Sequence, residues 1–469
     1  MRPLSKEWIA EARALSGISV SVTITMFAQL AISAVETLAV ARVGVTALAG
    51  VTLALGIYLL VFLFALGVVT AVTPIAAQAR GRGDHEAVRL AGQHALYVGL
   101  SFSLPGAVLL SVGGLLLGLF TSSPEAKPAA DYLIAAAWGL PAWVCYVAVR
   151  GFAVATGRVM VTTIIMLAAV PLHAGLTWWL VFGGLGIPPL GATGAGLAYS
   201  LVAYLAWGLL IVIVRAAPAD PFSRSFAAPF TWNTRQYWQI VRLGIPFACR
   251  IVLREGMLPA TAFVVAPFGP SALAAHAVAA QIVDLLGVFC FGFSDAANTR
   301  VGLAIGSGRV HHVGSAAWIS VLLAAGVGLL VAGMLMAEPA WVVSWLLDGT
   351  ESESAAAAAA VLPLAAFVLF LQGIQSAIGG ALSGMRDAKG PLLIAVFGSW
   401  GIGLPLGTLL ARISPLPVNG LWTGLLLGAC VTTFFYVIRV RQLLRRLESP
   451  APCAGSVHPP RPTRKRQPS

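Results

Sequence analysis

The chain of 469 residues is 58% hydrophobic and only 10% charged, and its mean hydropathy is +0.89. These values exclude an ordinary soluble globular domain and indicate an integral membrane protein. The formal net charge of +12 would suit a nucleic-acid-binding protein if the chain were soluble, so the placement of the basic residues has to decide that point.

Apolar stretches of about 20 residues, each long enough to cross a bilayer, recur along most of the sequence. They predict α-helices, because a membrane-spanning β-strand needs only about 10 residues and alternates apolar with polar side chains. The expected fold class is therefore an all-α membrane protein. Twelve spans are predicted, at 17–41, 47–72, 93–119, 131–154, 160–184, 193–214, 240–265, 272–299, 313–337, 359–384, 390–411 and 418–438.

The basic residues lie mainly on one side of these spans. Of the 29 Lys and Arg residues, all but five fall in the N-terminus, the even-numbered loops or the C-terminus. The exceptions are Arg42, Lys127 and Arg412 on the opposite side, and Arg250 and Arg254 inside the seventh span. The positive-inside rule predicts that both termini are cytoplasmic. Membrane lipids, and not nucleic acid, are then the expected partners of this positive charge.

The two halves of the sequence resemble each other. GVTALAG at 44–50 matches GPSALAA at 269–275, and GFAVATGR at 151–158 matches GALSGMRD at 380–387. Paired six-helix lobes that rock about a central site are typical of secondary transporters. The predicted organisation is an N-lobe at 1–214, a cytoplasmic connector at 215–239, a C-lobe at 240–447 and a disordered basic tail at 448–469.

Seven segments stand out in chain order: ETLAVARVGVTALAGVTLA, VTPIAAQARGRGD, WGLPAWVCYVAVRGFAVATGR, LVFGGLGIPPLGATGAGLAYS, ALAAHAVAAQ, RVGLAIGSG and WGIGLPLG. Together they resemble the multidrug and toxic compound extrusion (MATE) family, in particular its NorM-like bacterial branch. The resemblance implies a V-shaped pair of lobes in the bacterial inner membrane that exports amphipathic, chiefly cationic, organic compounds by antiport against H⁺ or Na⁺. It implies no enzymatic activity, no cofactor and a monomeric chain.

One acid, Glu36, interrupts the apolar first span. Charged groups in a bilayer cost on the order of 2.5–3.5 kcal/mol by insertion scales, so they usually face a cavity or a partner. Gln29 and Ser33 precede Glu36 by seven and three residues, which predicts a polar stripe facing a water-filled cavity. The resemblance implies that Glu36 couples transport to protons, in VET where relatives commonly have VDT. The alternative is a protonated Glu36 that only hydrogen-bonds a neighbouring helix.

The fifth span carries His173 and Thr177, four residues apart and therefore on one helix face. An imidazole titrates near neutral pH, so His173 could share a proton with Glu36, with Thr177 supporting the site. The alternative is a structural histidine of the helix bundle.

The seventh span carries Glu255, four residues before Pro259. Pro259 has no N–H to offer the Glu255 carbonyl, so a backbone oxygen is freed near the carboxylate, and this pairing suits H⁺ or Na⁺. The resemblance implies a cation site formed by Glu255 and an acid on the tenth span. Gln372 stands where that acid is expected and Gln375 follows one turn later, so the sequence favours H⁺.

Two arginines in the same span depart from the family pattern and need counter-charges. The antiparallel eighth span offers two aspartates, and the helical rise of about 1.5 Å per residue predicts the pairs Arg250–Asp295 and Arg254–Asp284, with Gln281 completing the network. If Arg254 instead enters the cavity beside Glu255, the site would repel cations and favour anionic or zwitterionic substrates.

Other functions stay open at this point. A lipid-linked oligosaccharide flippase of the same superfamily would need a cavity rich in arginine, and only the seventh span offers any. A membrane enzyme would need a catalytic set, and the sequence contains no HExxH, GxSxG or Cys/His motif; an ATP-driven pump would need GxxxxGK[ST], which is also missing. A channel is a further alternative, which countertransport would exclude.

Overall fold

The structure is a computed structural model that describes residues 6–184, 186–216, 226, 229–344 and 353–448. Within these residues the chain is helical, as predicted, with one isolated bridge between Gly184 and Ile187. The predicted tail beyond Glu448 and part of the predicted connector at 215–239 lie outside the described residues.

Eleven described helices are long and apolar enough to cross a membrane, and a pair bent by 46° makes a twelfth span. They are α1 (Lys6–Val43), α2 (Val45–Gly81), α3 (His85–Phe120), α4 (Ala126–Ala137 with Leu140–Ala155), α5 (Val159–Phe182), α6 (Gly191–Ala216), α7 (Thr234–Phe268), α8 (Pro270–Gly306), α9 (Val310–Ala337), α10 (Glu353–Gly384), α11 (Lys389–Ile413) and α12 (Pro417–Glu448). A short helix, Pro339–Ser344, follows α9. Each predicted span falls on one of these segments, which confirms the predicted fold class.

Helix α7 is interrupted in a way that shapes the site described below. Asn233 caps its start, where Oδ1 accepts a hydrogen bond from the Gln236 N–H at 3.1 Å. Its first part ends at Glu255, and a second part, Met257–Val265, begins after Gly256. Pro259 supplies no N–H to the turn before it, so the helix is weakest at this point. The interruption lies next to Glu255, the last residue of the first part.

The internal repeat is visible in the backbone turns. The α2–α3 turn contains Gly83 at φ 72°, and the corresponding α8–α9 turn contains Gly308 at φ 71°. The α4–α5 turn contains Gly157 at φ 84°, and the α10–α11 turn has Arg386 at φ 60° at the matching position. Left-handed φ is costly for a residue with a side chain. Its recurrence at matching positions therefore supports two six-helix repeats.

We refer to α1–α6 as the N-lobe, to α7–α12 as the C-lobe, and to the end where α1 begins and α12 ends as the basic end. The lobes contact each other in the half of the bundle nearer the basic end. A Cβ atom at Gly67 would lie 2.8 Å from the Cβ of Ala248, and one at Gly292 would lie 2.6 Å from Oγ1 of Thr23. Small residues thus allow α2 to meet α7, and α1 to meet α8, at close range.

Polar side chains also bridge the lobes at the basic end. Arg300 of α8 forms a bidentate ion pair with the largely buried carboxylate of Glu11. Arg150 of α4 lies 3.5 Å from Asp295 of α8, measured from Nη2 to Oδ2. The two lobes are therefore closed against each other at this end.

Candidate transport sites

The first candidate site surrounds Glu36 in the N-lobe. Its side chain is almost fully enclosed, at 1% exposure. Tyr132 from α4, Tyr58 from α2 and Tyr199 from α6 lie around the carboxyl, each near enough for electrostatic interaction with it. Within the described residues Glu36 forms no ion pair, and its Oε1 has no hydrogen-bond partner. We refer to Tyr58, Tyr132 and Tyr199 as the tyrosine cage.

His173 and Thr177 lie beside the cage and share a helix face, as predicted. Nε2 of His173 is 3.2 Å from Oγ1 of Thr177, and both side chains are fully buried. The imidazole packs edge-on to the Tyr199 ring, with 6.3 Å between ring centroids. Within the described residues no hydrogen bond joins His173 to Glu36. Tyr199 therefore contacts His173 and also adjoins the acid.

The predicted polar stripe on α1 is only partly correct. Glu36 is buried, Gln29 is half-buried and Ser33 is exposed. Side chains three residues apart on a helix are separated by about 60° around its axis, so Ser33 lies on the open rim and Glu36 turns into the lobe. The acid thus sits in an enclosed pocket of aromatic side chains, and the expectation of a cavity open to water at Glu36 is wrong for this structure.

The second candidate site is a C-lobe cavity of about 370 Å³. Its wall includes Leu30 of α1, so it opens toward the interface of the lobes. The ionisable and polar residues that line it are Arg250, Arg254, Glu255, Asp284, Ser294, Gln372, Gln375, Ser376, Ser399, Trp400, Thr432 and Tyr436. Gln281 lies exposed on α8 and is not part of this lining.

Arg254 pairs with its neighbour in the chain. Its Nη2 and Nε lie 2.5 and 3.0 Å from Oε1 of Glu255, and its guanidinium stacks over the Phe291 ring at 4.1 Å from the centroid. The predicted ion pair with Asp284 is therefore wrong. Both side chains line the cavity, where Arg254 reaches its neighbour Glu255 and not Asp284. Asp284 is exposed to the cavity, without an ion pair among the described residues.

Arg250 does not pair with Asp295 either, so the second predicted pair is also wrong. Asp295 is taken by Arg150, which reaches it across the interface of the lobes. The polar contact of Arg250 is a long hydrogen bond of 3.5 Å from Nη2 to Oγ of Ser383, and its guanidinium is 5.8 Å from the centroid of the Phe247 ring.

The two glutamines of α10 have different surroundings. Gln372 faces the cavity, at the position where a second acid was expected. Gln375 donates to the Ala429 carbonyl and to Oγ1 of Thr433, both at 3.0 Å, and so ties α10 to α12. Trp400 donates its indole N–H to the Leu253 carbonyl at 3.1 Å, just before the break in α7. Gln375 and Trp400 therefore hold the cavity wall in shape.

Sequence reasoning missed the tyrosine cage and the two bridges between the lobes. A usable signal existed, because the chain has only 8 tyrosines and three of them fall in apolar spans around Glu36. Glu11 lies before the first predicted span, which begins at residue 17. Only the packed structure reveals that α1 includes Glu11 and that its carboxylate meets Arg300.

Two six-helix lobes that meet at one end, each with ionisable groups inside the membrane, define an integral membrane carrier. The MatE family model matches residues 22–179 and 246–409, which is more than half of the chain. The chain therefore belongs to the MatE family, the multidrug and toxic compound extrusion transporters. The predicted resemblance is confirmed, and with it a multi-pass protein of the bacterial inner membrane.

Relatives of known designation agree with this membership. The chain is 32% identical over 439 residues to the probable multidrug resistance protein NorM of Bradyrhizobium diazoefficiens, covering 92% of this chain and 93% of the relative. It is 32% identical over 449 residues to the protein of the same designation from Rhodopseudomonas palustris, covering 94% of each. The family is one of multidrug efflux transporters, which are not enzymes.

Solved structures share the fold. An outward-facing multidrug resistance MATE family transporter superposes with a TM-score of 0.83 at 17% identity, covering 94% of this chain and 97% of that one. A eukaryotic MATE transporter superposes with a TM-score of 0.81 at 19% identity, covering 94% and 98%.

Proposed function

We propose that this transporter exports amphipathic organic compounds from the cytoplasm by antiport against H⁺, and that Glu36 carries the coupling proton. One observation supports this most strongly: Glu36 is a buried acid with no cation beside it among the described residues. An uncompensated carboxylate in a membrane interior is unfavourable, and a bound proton removes its charge.

The tyrosine cage explains how the proton is linked to a change of shape. With a proton bound, Glu36 is neutral and tolerates the closed pocket around it. When the proton leaves, the buried negative charge costs free energy until the cage opens and water reaches the carboxylate. The protonated and the deprotonated carboxyl therefore favour different arrangements of the N-lobe. A proton can drive a conformational change only if its affinity differs between the two arrangements, and the cage supplies that difference.

The closed basic end sets the direction of transport in this proposal. The excess of Lys and Arg at that end supports a cytoplasmic location for it. With the cytoplasmic end closed, the cavity between the lobes is open to the outside. In this state the transporter would release its substrate and take up a proton. Closure of the opposite end would then open the cavity to the cytoplasm, where the proton is released. The transporter is proposed to work as a monomer.

The choice of H⁺ over Na⁺ follows from the C-lobe. A Na⁺ ion at Glu255 would need the carboxylate and further oxygen ligands. The Arg254 guanidinium already pairs with that carboxylate and would repel a second cation. Gln372, at the position where a second acid was expected, brings an oxygen without a charge. Coupling through Glu36 requires none of these groups.

The proposal is tested with purified protein in liposomes, where pH and Na⁺ gradients are imposed separately. We expect a pH gradient alone to drive uphill transport of a fluorescent amphipathic cation, and a Na⁺ gradient alone to drive none. Glu36→Gln should abolish the uphill component, whereas Glu36→Asp, which keeps the carboxyl, should retain part of it. Transport driven by Na⁺ alone, or uphill transport by Glu36→Gln, would refute the proposal.

A further inference from the structure

An open cleft of about 1310 Å³ lies at the basic end of the C-lobe. It is bordered by the start of α7, by the turn between α10 and α11 with the first residues of α11, and by α12 near its end. None of its lining residues belongs to the C-lobe cavity described above, so the two are separate. We refer to it as the basic cleft.

Positive charge dominates the basic cleft. Its ionisable side chains are Arg235, Arg242, Arg386, Lys389, Arg439 and Asp387. The carboxylate of Asp387 accepts a hydrogen bond from Nε of Arg439 at 2.6 Å, so this acid already neutralises one of the five cations. The other four form no ion pair within the part of the chain that the structure describes. Such a concentration of positive charge attracts an anion.

Arg386 is the most constrained of these cations. Its backbone has φ 60°, in the left-handed region that is costly for a residue with a side chain, and the matching position of the N-lobe is Gly157. Its Nε is buried without a hydrogen-bond partner among the described residues. Burial and the charge of Arg82 lower the pKa of the Arg386 guanidinium to about 10. Strained residues and unsatisfied buried donors are unfavourable unless they serve a ligand, so Arg386 indicates a binding site.

The basic cleft continues into apolar surface that faces the membrane. Lys389, Leu393 and Phe397 follow one another at intervals of four residues and therefore share one face of α11. The last two are exposed and lie one and two turns deeper in the membrane. On α7, Trp238 and Ile245 are exposed on one face, and tryptophan is enriched at the level of the lipid headgroups. An anion in the cleft can thus carry acyl chains along α7 and α11, which pack against each other.

From this arrangement we propose that the basic cleft binds an anionic phospholipid from the leaflet at the basic end, with its phosphate held by Arg386, Arg242 and Lys389. The acyl chains lie on the exposed apolar side chains of α7 and α11. Arginine suits this role because its planar fork binds phosphate oxygens through charge-assisted hydrogen bonds. A soluble phosphate compound would use the charged part of this surface and leave the apolar part bare. The site adds a ligand to the proposed export function and does not depend on it.

The test is lipid binding to delipidated protein in detergent, measured by native mass spectrometry. Dioleoyl phosphatidylglycerol, an anion, is compared with dioleoyl phosphatidylcholine, which has the same acyl chains and no net charge. We expect the wild type to bind the anionic lipid about tenfold or more tightly. Arg386→Gly should remove most of this preference, because a lost charge-assisted contact lowers affinity by about tenfold. Glycine suits the left-handed backbone at this position, so the loss would not come from a disrupted turn.

Two double variants separate the basic cleft from the general charge of this end. Arg242→Gln with Lys389→Gln removes two exposed cations of the cleft and should also reduce the preference. Arg309→Gln with Arg446→Gln removes two exposed arginines of the same end that do not line the cleft, and should leave the preference unchanged. Equal binding of the two lipids by the wild type, a full preference in Arg386→Gly, or an equal loss in the control variant would overturn the proposal.

A competition experiment distinguishes a lipid from a free phosphate compound. Glycerol 3-phosphate presents a phosphate without acyl chains, and a large excess of it should displace little phosphatidylglycerol from the wild type. Displacement at concentrations comparable to that of the lipid would show that the cleft binds soluble phosphate compounds, and would overturn the assignment to a lipid. These measurements involve no gradient and no exported compound, so a failure of the antiport proposal would leave their outcome unchanged.

Discussion

The ion pair between Arg150 and Asp295 should hold the lobes together at the basic end. Arg150 is 8% exposed, and its Nε and Nη1 have no hydrogen-bond partner among the described residues. Removing one member of a fully buried pair costs about 3–5 kcal/mol. The Asp295 side chain is 34% exposed and the N–O distance is 3.5 Å, so we expect about 1.5–3 kcal/mol for Asp295→Asn. That is roughly a 10- to 150-fold shift in the equilibrium away from the closed basic end.

The shift can be measured as a distance between spin labels. One label at Arg82→Cys and one at His311→Cys, both exposed and in different lobes, report the opening of the basic end in a background without native cysteines. Asp295→Asn should broaden the distribution toward longer distances. Arg150→Met should do so less, because it removes the buried cation and leaves an aspartate that water can reach. Equal effects of both variants, or an unchanged distribution in Asp295→Asn, would refute the reasoning; Glu7→Gln, an exposed acid on α1, is the control.

Three other substitutions test the contact between the lobes, the coupling ion and the tyrosine cage. Gly292→Val should prevent α1 and α8 from meeting and abolish transport while detergent-solubilised protein stays monodisperse, because a Cβ there would already lie 2.6 Å from Oγ1 of Thr23; normal transport would contradict the closed contact. Glu255→Gln should lower the transport rate without creating or removing a Na⁺ requirement, since it leaves the Arg254 charge unpaired; an altered Na⁺ dependence would count against H⁺ coupling. Tyr132→Phe should change the pH at which transport is half-maximal while transport itself persists, because it removes a polar hydroxyl near Glu36; an unchanged pH profile would show that this hydroxyl does not influence the acid.

Much of the fold follows from the sequence because the bilayer limits the choices. A stretch such as 47–72 can satisfy its backbone polar groups in lipid only as a helix, so the predicted and observed spans agree. Internal similarity predicted two repeats, and Gly83 and Gly308, in corresponding turns of the two repeats, have nearly equal φ values in the structure. These features depend on composition and spacing, which one sequence reveals.

The partners of charged side chains were predicted less well from the sequence, because these partners depend on packing between helices that are far apart in the chain. Asp295 was assigned to Arg250 by counting the rise along neighbouring helices, but the lobe interface brings Arg150 to it. Arg254 was assigned to Asp284 by the same count, but it pairs with its chain neighbour Glu255. Glu36 was identified as a candidate site residue from its position in an apolar span. Its enclosure by Tyr58, Tyr132 and Tyr199 could not be predicted in the same way, because these residues lie on three other helices.

The central claim is that Glu36 binds the proton that transport exchanges for substrate. The most direct measurement is the release of protons when an amphipathic cation is added to purified protein in weakly buffered detergent solution, followed with a pH-sensitive dye. The account predicts release from the wild type and none from Glu36→Gln, with calorimetry showing that the variant still binds the compound. Equal proton release by Glu36→Gln would contradict the account.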